Sequence, residues 1–404
     1  MVFNFNYMEI LMKTLVGIAI VSMVSFLGCE MDEATNKATL GESLFFDKNI
    51  SLTRETSCAT CHDPEHAFVD ARFLEEGTDQ SIFIDGAFSV GDDGVTLGGR
   101  NSPTAMYAKY SPKFGDNDGA YKGGQFHDGR AATLKVQAMG PPLDQAEMMM
   151  PDTESVSERL QENQTYVVGL KALFGDDVFD DPDKAFDSMA ECIAEFEKTE
   201  EFAPFDSKYD RWLEGTYEFT ALEAEGHKAY FNSESKNCVF CHTLNSETEA
   251  DTKELFTNYR YENIGTPRNI AAMDARAALG LQDTNATYAG LGGTVDKAEH
   301  LGKGKVPTLR NIAVTAPYMN NGVFKKLRTV LEFYDHMAGK GGHPINPETG
   351  EAWVANDHNE TINYELLQKT APFTDDKIYA IEAFLRTLTD KKYEDLLEPL
   401  EPAN

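Results

Sequence analysis

Two copies of the pattern C-x-x-C-H constrain this chain more than any other feature. The first is Cys58-Ala-Thr-Cys61-His62 and the second is Cys238-Val-Phe-Cys241-His242. This pattern is the attachment signature of c-type haem, in which both thiols form thioethers and the adjacent histidine ligates the iron. A zinc site needs no histidine beside the second cysteine in both copies, and a thioredoxin-like dithiol needs a βαβ context. The sequence therefore predicts two covalently bound haem c groups.

The N-terminus is typical of an export signal. Residues 15–27 carry no charge, and Lys13 precedes them as a positive flank. Such a segment is too short to span a bilayer but suits the apolar region of a signal peptide. Residues 1–28 are therefore predicted to be a signal peptide, and Gly28-Cys29 resembles a lipoprotein cleavage box with Cys29 as the lipid acceptor. The alternative is ordinary cleavage nearby. Both alternatives predict a protein of the periplasm or cell envelope, lipid-anchored in the first case.

The charge balance limits the partners. The formal net charge is −31, from 36 basic and 67 acidic residues. A nucleic-acid-binding protein needs a basic surface, so the composition argues against that class. An acidic surface favours encounter with a basic protein, although it also serves solubility alone.

Helical periodicity dominates the chain. Apolar residues recur at helical spacing over 185–196, which includes Cys192 as a core residue, and over 327–334 and 377–388. Few runs alternate as strands do, and Gly/Asp/Asn-rich stretches such as 91–94 and 115–119 predict loops. The expected fold is mostly α, with two cytochrome c-like haem domains and long loops.

The motif spacing predicts the domain organisation. His62 and His242 stand 180 positions apart, which is enough for each haem to have its own domain. We place an N-terminal haem domain at 38–210 and a C-terminal haem domain at 211–392.

Longer segments around the haem motifs resemble a known family. They are Arg100–Thr104 (RNSPT), Gln125–Leu134 (QFHDGRAATL) and Val306–Tyr318 (VPTLRNIAVTAPY). With the two haem motifs in this order, the chain resembles the bacterial di-haem cytochrome c peroxidases, which include the MauG-type enzymes. The resemblance covers residues 38–390.

The resemblance implies a division of labour between the haems. His62 would be the proximal ligand of the peroxide-reacting iron, and His242 would ligate the electron-transfer iron. The implied activity is that of a cytochrome-c peroxidase, reducing hydrogen peroxide to water with electrons from a small c-type cytochrome or a cupredoxin. Homodimers are common in the family. Two alternatives stay open: a MauG-type enzyme oxidising residues of a partner protein, and a non-enzymatic two-haem electron relay or sensor.

The family also suggests the sixth ligand of the C-terminal haem, which is Met in most members and Tyr in the MauG-type branch. Matching the segment after Pro317 places this position at Tyr334, with Met337 and Met319 as rivals. Tyr334 also continues an apolar helical stripe, so a core role is the alternative. A tyrosinate ligand would lower the reduction potential relative to Met.

Many family members block the N-terminal iron with a distal histidine. The nearest histidine here is His66, four residues after His62, and none follows until His127. His66 is too near to reach the opposite face. We therefore expect an open, five-coordinate N-terminal iron that needs no reductive activation.

The catalytic residues implied by the resemblance include one departure. Gln125 matches a family residue that contacts peroxide, but Lys135 stands where the family has its acid–base glutamate. Cleaving the O–O bond requires a proton to move between the two oxygens, and a protonated lysine cannot accept it unless burial lowers its pKa. His127 replaces the family tryptophan, so it is a candidate proton shuttle, with a hydrogen-bonded core role as the alternative.

Two further family features concern the region between the haems. Asn101, Thr315 and Pro317 match positions that bind a calcium ion, the last two through backbone carbonyls, and oxygen ligands suit calcium. The family also places an aromatic residue between the haems. Trp212 and Trp353 lie far from the first motif in sequence. The candidates that remain are Tyr107, Tyr110, Phe114 and Tyr121.

Overall fold

A computed structural model of the chain describes residues 36–117, 120–231, 237–244, 253–281, 288–369 and 372–402. The predicted signal peptide and its acceptor Cys29 lie outside these ranges. Among the described residues, no helix has the length and apolar character needed to cross a membrane.

The described chain is mostly helical, as the periodicity predicts. The α-helices are α1 Lys37–Phe46, α2 Cys58–Cys61, α3 Gln80–Phe83, α4 Leu134–Ala138, α5 Thr153–Gln161, α6 Gln164–Phe174, α7 Pro182–Phe196, α8 Lys208–Leu213, α9 Ala221–Tyr230, α10 Asn237–Cys241, α11 Ile270–Ala278, α12 Leu291–Val295, α13 Leu327–Met337, α14 Tyr364–Leu367 and α15 Asp375–Arg386. Short antiparallel pairs join β1 Gly115–Asn117 to β2 Ala120–Lys122 and β3 Tyr261–Glu262 to β4 Gly304–Lys305. Turns of 3-10 helix lie at Lys48–Ile50, Arg72–Leu74, Ala108–Tyr110, Pro141–Leu143, Glu200–Phe202, Ala298–His300, Ile312–Val314, Asn359–Thr361 and Lys391–Leu396.

The first half is organised by the crossing of α1 and α7. The Asn36 side chain caps α1 by accepting from the Ala38 amide, and Pro182 opens α7 behind the Asp181 cap. At the crossing, a Cβ on Gly41 would overlap the carbonyl oxygen of Cys192, so only glycine lets the two backbones approach this closely. Cys192 is fully buried in this core.

The second half repeats this arrangement with α9 and α15. Thr220 begins α9 with a capping box, in which the Glu223 carboxylate accepts from the Thr220 amide. A Cβ on Gly226 would overlap the carbonyl oxygen of Ala380. Each haem motif follows the first helix of its pair, so the two crossings place the two attachment sites.

Buried polar contacts join the halves. The Tyr107 hydroxyl donates to Asp390 at 2.7 Å, and the Tyr393 hydroxyl donates to the Pro64 carbonyl at 3.0 Å. Tyr393, near the C-terminal end, packs in the first core. The second half of the chain therefore contributes to the core of the first.

Candidate haem sites

The first motif presents its histidine in a form that suits iron ligation. Cys58 to Cys61 form the single turn α2, and the His62 amide closes it by donating to the Cys58 carbonyl at 2.9 Å. The His62 Nδ1 lies 3.0 Å from the Phe68 carbonyl. Burial lowers the pKa of His62, so the ring is neutral and Nδ1 is the donor. The Nε2 atom is therefore the nitrogen left for a metal.

The second motif repeats this geometry. The His242 amide donates to the Cys238 carbonyl at 2.8 Å, and the His242 Nδ1 lies 3.0 Å from the Phe256 carbonyl. Burial lowers the pKa of His242 to about 4. The Tyr230 hydroxyl adds a hydrogen bond to the His242 carbonyl at 2.9 Å. Both histidines are thus oriented by backbone carbonyls and are neutral, as a haem ligand must be.

No disulfide joins any of the four motif cysteines, all of which lie in the described ranges. Burial raises the pKa of Cys61 and Cys241 to about 12 and that of Cys238 to about 11, and it raises the pKa of Cys58 further. The pairing of two cysteines with a following histidine that a backbone carbonyl orients is the arrangement needed for thioether attachment and iron ligation. The residues at both motifs therefore fit haem c.

A large cavity adjoins the second motif. Its walls contain the motif residues Cys238, Cys241 and His242, together with apolar residues of α13 and α15 and the basic residue Lys305. Lys305 has no carboxylate within ion-pair distance among the described residues, and burial lowers its pKa to about 8. A haem is an apolar ring that carries two propionate groups, so an apolar cavity with one unneutralised cation fits it.

The structure places the three candidate sixth ligands differently. Tyr334 and Met319 line the cavity beside His242, whereas the Met337 side chain packs against Gly265. The Tyr334 hydroxyl has no hydrogen-bond partner in the described part of the chain, and burial raises its pKa. The apolar stripe that precedes Tyr334 on α13 faces the same cavity. This position suits Tyr334 as an axial ligand, and the assignment stays a prediction.

Around the first motif, Gln125 and His66 occupy different environments. Gln125 is 7% exposed, and its Nε2 donates to the Ala108 carbonyl at 3.1 Å. The His66 Nδ1 lies 2.7 Å from the Asp63 carboxylate, and Asp63 directly follows the first haem motif. The open, five-coordinate first iron stays a prediction.

Lys135 does not have the environment of an acid–base residue. Its ammonium contacts the carboxylates of Asp187 at 2.7 Å and Glu191 at 3.2 Å on the surface of α7. Hydrogen bonds to these carboxylates outweigh the effect of partial burial and raise the pKa of Lys135. The side chain stays protonated at neutral pH, so the geometry favours an ion-pairing role.

His127 lines the large cavity that contains the second haem motif, which we call the second cavity. Its Nε2 is 3.0 Å from the Asn101 carbonyl, and burial lowers its pKa to about 4. A neutral ring whose Nε2 donates to a backbone carbonyl has the environment of a hydrogen-bonded structural histidine, the alternative that the sequence left open.

The predicted calcium-binding residues are brought together. Asn101, Thr315 and Pro317 all line the cavity next to the second motif. The Asn101 Nδ2 donates to the carbonyls of Gly86 and Ala87. The calcium ion itself stays a prediction.

The aromatic candidates are spread over the contact between the halves. Tyr107 is 1% exposed and lies 5.1 Å from the Arg310 guanidinium, measured to its ring centre. Tyr110 packs edge-on against Phe205, and Phe114 stacks on Tyr121. The two tryptophans, Trp212 and Trp353, pack against the second core.

Sequence reasoning missed one buried acid. Glu197 follows α7 directly and is 6% exposed, and its Oε2 has no hydrogen-bond partner within the described ranges. Burial raises its pKa to about 8, and it lies close enough to Cys58 to influence that thiol. No pattern in the sequence marks Glu197. Its counterpart in the second helix pair is Leu385, because Phe196 and Phe384 meet the equivalent glycines Gly41 and Gly226, and Leu385 lines the cavity.

Comparison with known proteins decides the family. A model of the di-haem cytochrome c peroxidases matches residues 35–218. The methylamine utilization protein MauG of Paracoccus denitrificans is 45% identical over 363 residues, which are 89% of this chain and 90% of that protein. The chain belongs to the di-haem cytochrome c peroxidase family. Cytochrome c551 peroxidase of Nitrosomonas europaea is 27% identical, with 92% of this chain and 85% of that protein covered.

Solved structures of this family share the fold. The diheme peroxidase BthA of Burkholderia thailandensis superposes with a TM-score of 0.75 at 28% identity, covering 91% of this chain and 89% of that one. A MauG-like protein associated with microbial copper homeostasis gives 0.63 at 25% identity, with 90% and 91% covered. The expected architecture of two haem domains in a mostly helical chain is confirmed, and the family membership implies two haem c groups.

Proposed function

We propose that this protein is an exported di-haem enzyme that uses hydrogen peroxide as its oxidant, with peroxide reacting at the His62 site and electrons passing through the His242 site. The observation that carries the proposal is the asymmetry of the two sites. Tyr334 lines the cavity that contains the second motif, whereas His66, the histidine that follows the first motif in sequence, is paired with Asp63. A ligated iron suits electron transfer, and an open one suits peroxide.

Groups of the protein orient the iron ligands and the residue that contacts peroxide. Haem c, when bound, supplies the redox equivalents. The backbone carbonyls of Phe68 and Phe256 hold the ligand histidines in one tautomer. Gln125 is a neutral amide whose carbonyl hydrogen bond fixes its orientation, so it can position peroxide without a charge. Lys135 is excluded from accepting the peroxide proton by its two carboxylate partners.

The acidic chain favours a basic electron donor. With a formal charge of −31, a small basic c-type cytochrome or a cupredoxin with a basic face would be steered to it. The signal-like residues 1–28 support export to the periplasm or cell envelope, with a lipid at Cys29 as one form. The shared cavity position of Asn101, Thr315 and Pro317 supports a calcium ion between the haems.

A second candidate function is favoured by a specific similarity. The chain is 45% identical to MauG of Paracoccus denitrificans, and Tyr334 occupies the position that has Tyr in the MauG-type branch. In this alternative the same sites withdraw electrons from residues of a partner protein. The partner then replaces the cytochrome as the source of electrons.

The deciding experiment uses the haem-loaded full chain with hydrogen peroxide. A peroxidase oxidises a reduced c-type cytochrome in steady state, and His62→Gly abolishes turnover while His66→Gly retains it. A MauG-type enzyme reacts with peroxide but turns over cytochrome slowly, and it oxidises a protein substrate. An electron relay exchanges electrons with the cytochrome but leaves peroxide intact, which would overturn both proposals.

A further inference from the structure

The loop that carries Gln125, residues 123–131, is held by side chains and backbone from the other half of the chain. The Lys305 amide donates to the His127 carbonyl at 2.8 Å, and the Lys305 Nζ donates to the Gly124 carbonyl at 2.5 Å. The Tyr261 hydroxyl donates to the Gly123 carbonyl at 2.5 Å. Tyr261 and Lys305 are paired across β3 and β4, so both bonds come from one small ribbon.

Backbone conformation and close backbone contacts restrict the path of this loop. Gly123 and Gly124 have φ values of 78° and 76°, in the left-handed region that favours glycine. A Cβ on Gly123 would overlap the Pro112 carbonyl, and the Gly124 amide donates to that carbonyl at 2.8 Å. The loop is thus fixed on one side by its own half of the chain and on the other by Lys305. Because Gln125 follows Gly124 directly, a shift of Gly124 displaces the Gln125 amide.

Lys305 also belongs to the second site. Its side chain lines the cavity that contains Cys238, His242 and Tyr334. A hydrogen bond from an ammonium to a carbonyl is stronger than one between neutral groups, and shielding from water strengthens it further. One cation therefore contacts the loop of the first site while it forms part of the wall of the second.

We infer that Lys305 is a positioning residue that holds the Gln125 loop from the wall of the second haem cavity and thereby links the two sites. This inference rests on the proposed function in assigning Gln125 to the peroxide site. The link is mechanical: the ammonium and the backbone amide of Lys305 hold two carbonyls that flank Gln125 in the chain.

The test compares Lys305→Met with Lys303→Met in the haem-loaded full chain. Lys303 lies on the same segment, but its ammonium contacts the His300 ring, so it is a matched control. We expect Lys305→Met to weaken cyanide binding to the high-spin haem about tenfold, the effect of one charge-assisted hydrogen bond. It should also speed hydrogen exchange in peptides covering 123–131. Lys303→Met should change neither, and Lys305→Arg should recover most of the affinity.

Two results of this test would contradict the role proposed for Lys305. Unchanged hydrogen exchange in the loop overturns it, and so does faster exchange with unchanged cyanide affinity. If Lys305→Met does not fold, Tyr261→Phe removes the neighbouring bond to Gly123 and should shift both measurements in the same direction by a smaller factor. A wild-type protein that binds no cyanide contradicts the open first iron of the proposed function, and loop exchange alone then decides the role of Lys305.

Discussion

The helix pair of the first half and that of the second cross in the same way, yet they enclose different surroundings. Gly41 meets Cys192 and Phe196 at one crossing, and Gly226 meets Ala380 and Phe384 at the other. The ligand histidines are also held alike, each by a backbone carbonyl at 3.0 Å. The two halves therefore share the same backbone contacts at their helix crossings and at their ligand histidines.

The difference lies in the side chains that face the haem sites. Glu197 and Leu385 follow equivalent phenylalanines, but the first is a buried acid and the second an apolar wall residue. Tyr334 projects into the second cavity from α13. The two halves thus share one backbone arrangement, and single side chains give their haem sites different chemical surroundings. Four changes test it, from the largest expected effect to the smallest.

The assignment of Tyr334 to the second site predicts the largest effect. Tyr334→Phe should convert the low-spin ferric signal of the second haem to a high-spin one, because the axial oxygen is lost. Low-temperature EPR of the oxidised protein measures this change. Met337→Leu is the matched control and should leave the spectrum unaltered, since Met337 packs against Gly265. A spectrum changed by Met337→Leu and not by Tyr334→Phe would reverse the assignment.

The equivalence of the two crossings can be tested directly. Gly41→Ala and Gly226→Ala should each lower the free energy of unfolding by about 3 kcal/mol, because the added methyl overlaps a helix carbonyl. Gly115→Ala, where a Cβ meets only open space and one distant carbonyl, should change it little. Urea denaturation monitored by far-ultraviolet circular dichroism gives the values. A large loss for only one of the two glycines would break the comparison.

Glu197 should make the first half sensitive to pH. Its pKa is about 8 in the folded chain and near 4.5 when exposed, so the folded state binds the proton more tightly. The free energy of unfolding therefore falls as pH rises from about 4.5 to 8. Between pH 5 and 7 this fall should be about 2 kcal/mol smaller in Glu197→Leu than in the wild type.

Melting temperatures over this pH range, compared with those of Glu195→Leu, measure the effect. The reciprocal Leu385→Glu should introduce the same dependence in the second half. Parallel pH profiles for the wild type and Glu197→Leu would show that the carboxyl is solvated.

Lys135 should have the smallest effect. Lys135→Met removes a half-exposed ion pair with Asp187 and Glu191, which is worth about 1 kcal/mol or less. The rate of reaction with peroxide, followed by stopped-flow absorbance of the haem, should stay within about twofold of the wild type. The change Lys198→Met, which removes another surface pair, is the control. A loss of reactivity of a hundredfold or more would return Lys135 to the first site.

Much of this molecule was predictable because its signals are local. The haem motifs are five-residue patterns, and the attached histidine must lie beside its cysteine whatever the rest of the chain does. The helices at 185–196 and 377–388 follow from periodicity, and the observed α7 and α15 overlap them closely. The mostly helical, two-haem architecture was likewise predictable from these patterns.

Partners of individual side chains were decided by packing. From the sequence, Lys135 could accept a proton only if burial lowered its pKa, and the carboxylates of Asp187 and Glu191 on α7 hold it protonated. His127 was a candidate proton shuttle with a hydrogen-bonded core role as the alternative, and the structure places it in the wall of the cavity beside the second motif. Neither residue has its partners nearby in sequence.

The sequence by itself determined the cofactor, the helical class and the order of the two sites, because covalent attachment and helical periodicity depend on neighbours in the chain. Only the tertiary structure decided that the buried Glu197 Oε2 finds no hydrogen-bond partner among the residues that the structure describes, and that Lys305 reaches the Gln125 loop. Burial and long-range hydrogen bonds depend on which segments the helix crossings bring together, and the residues involved lie up to 181 positions apart.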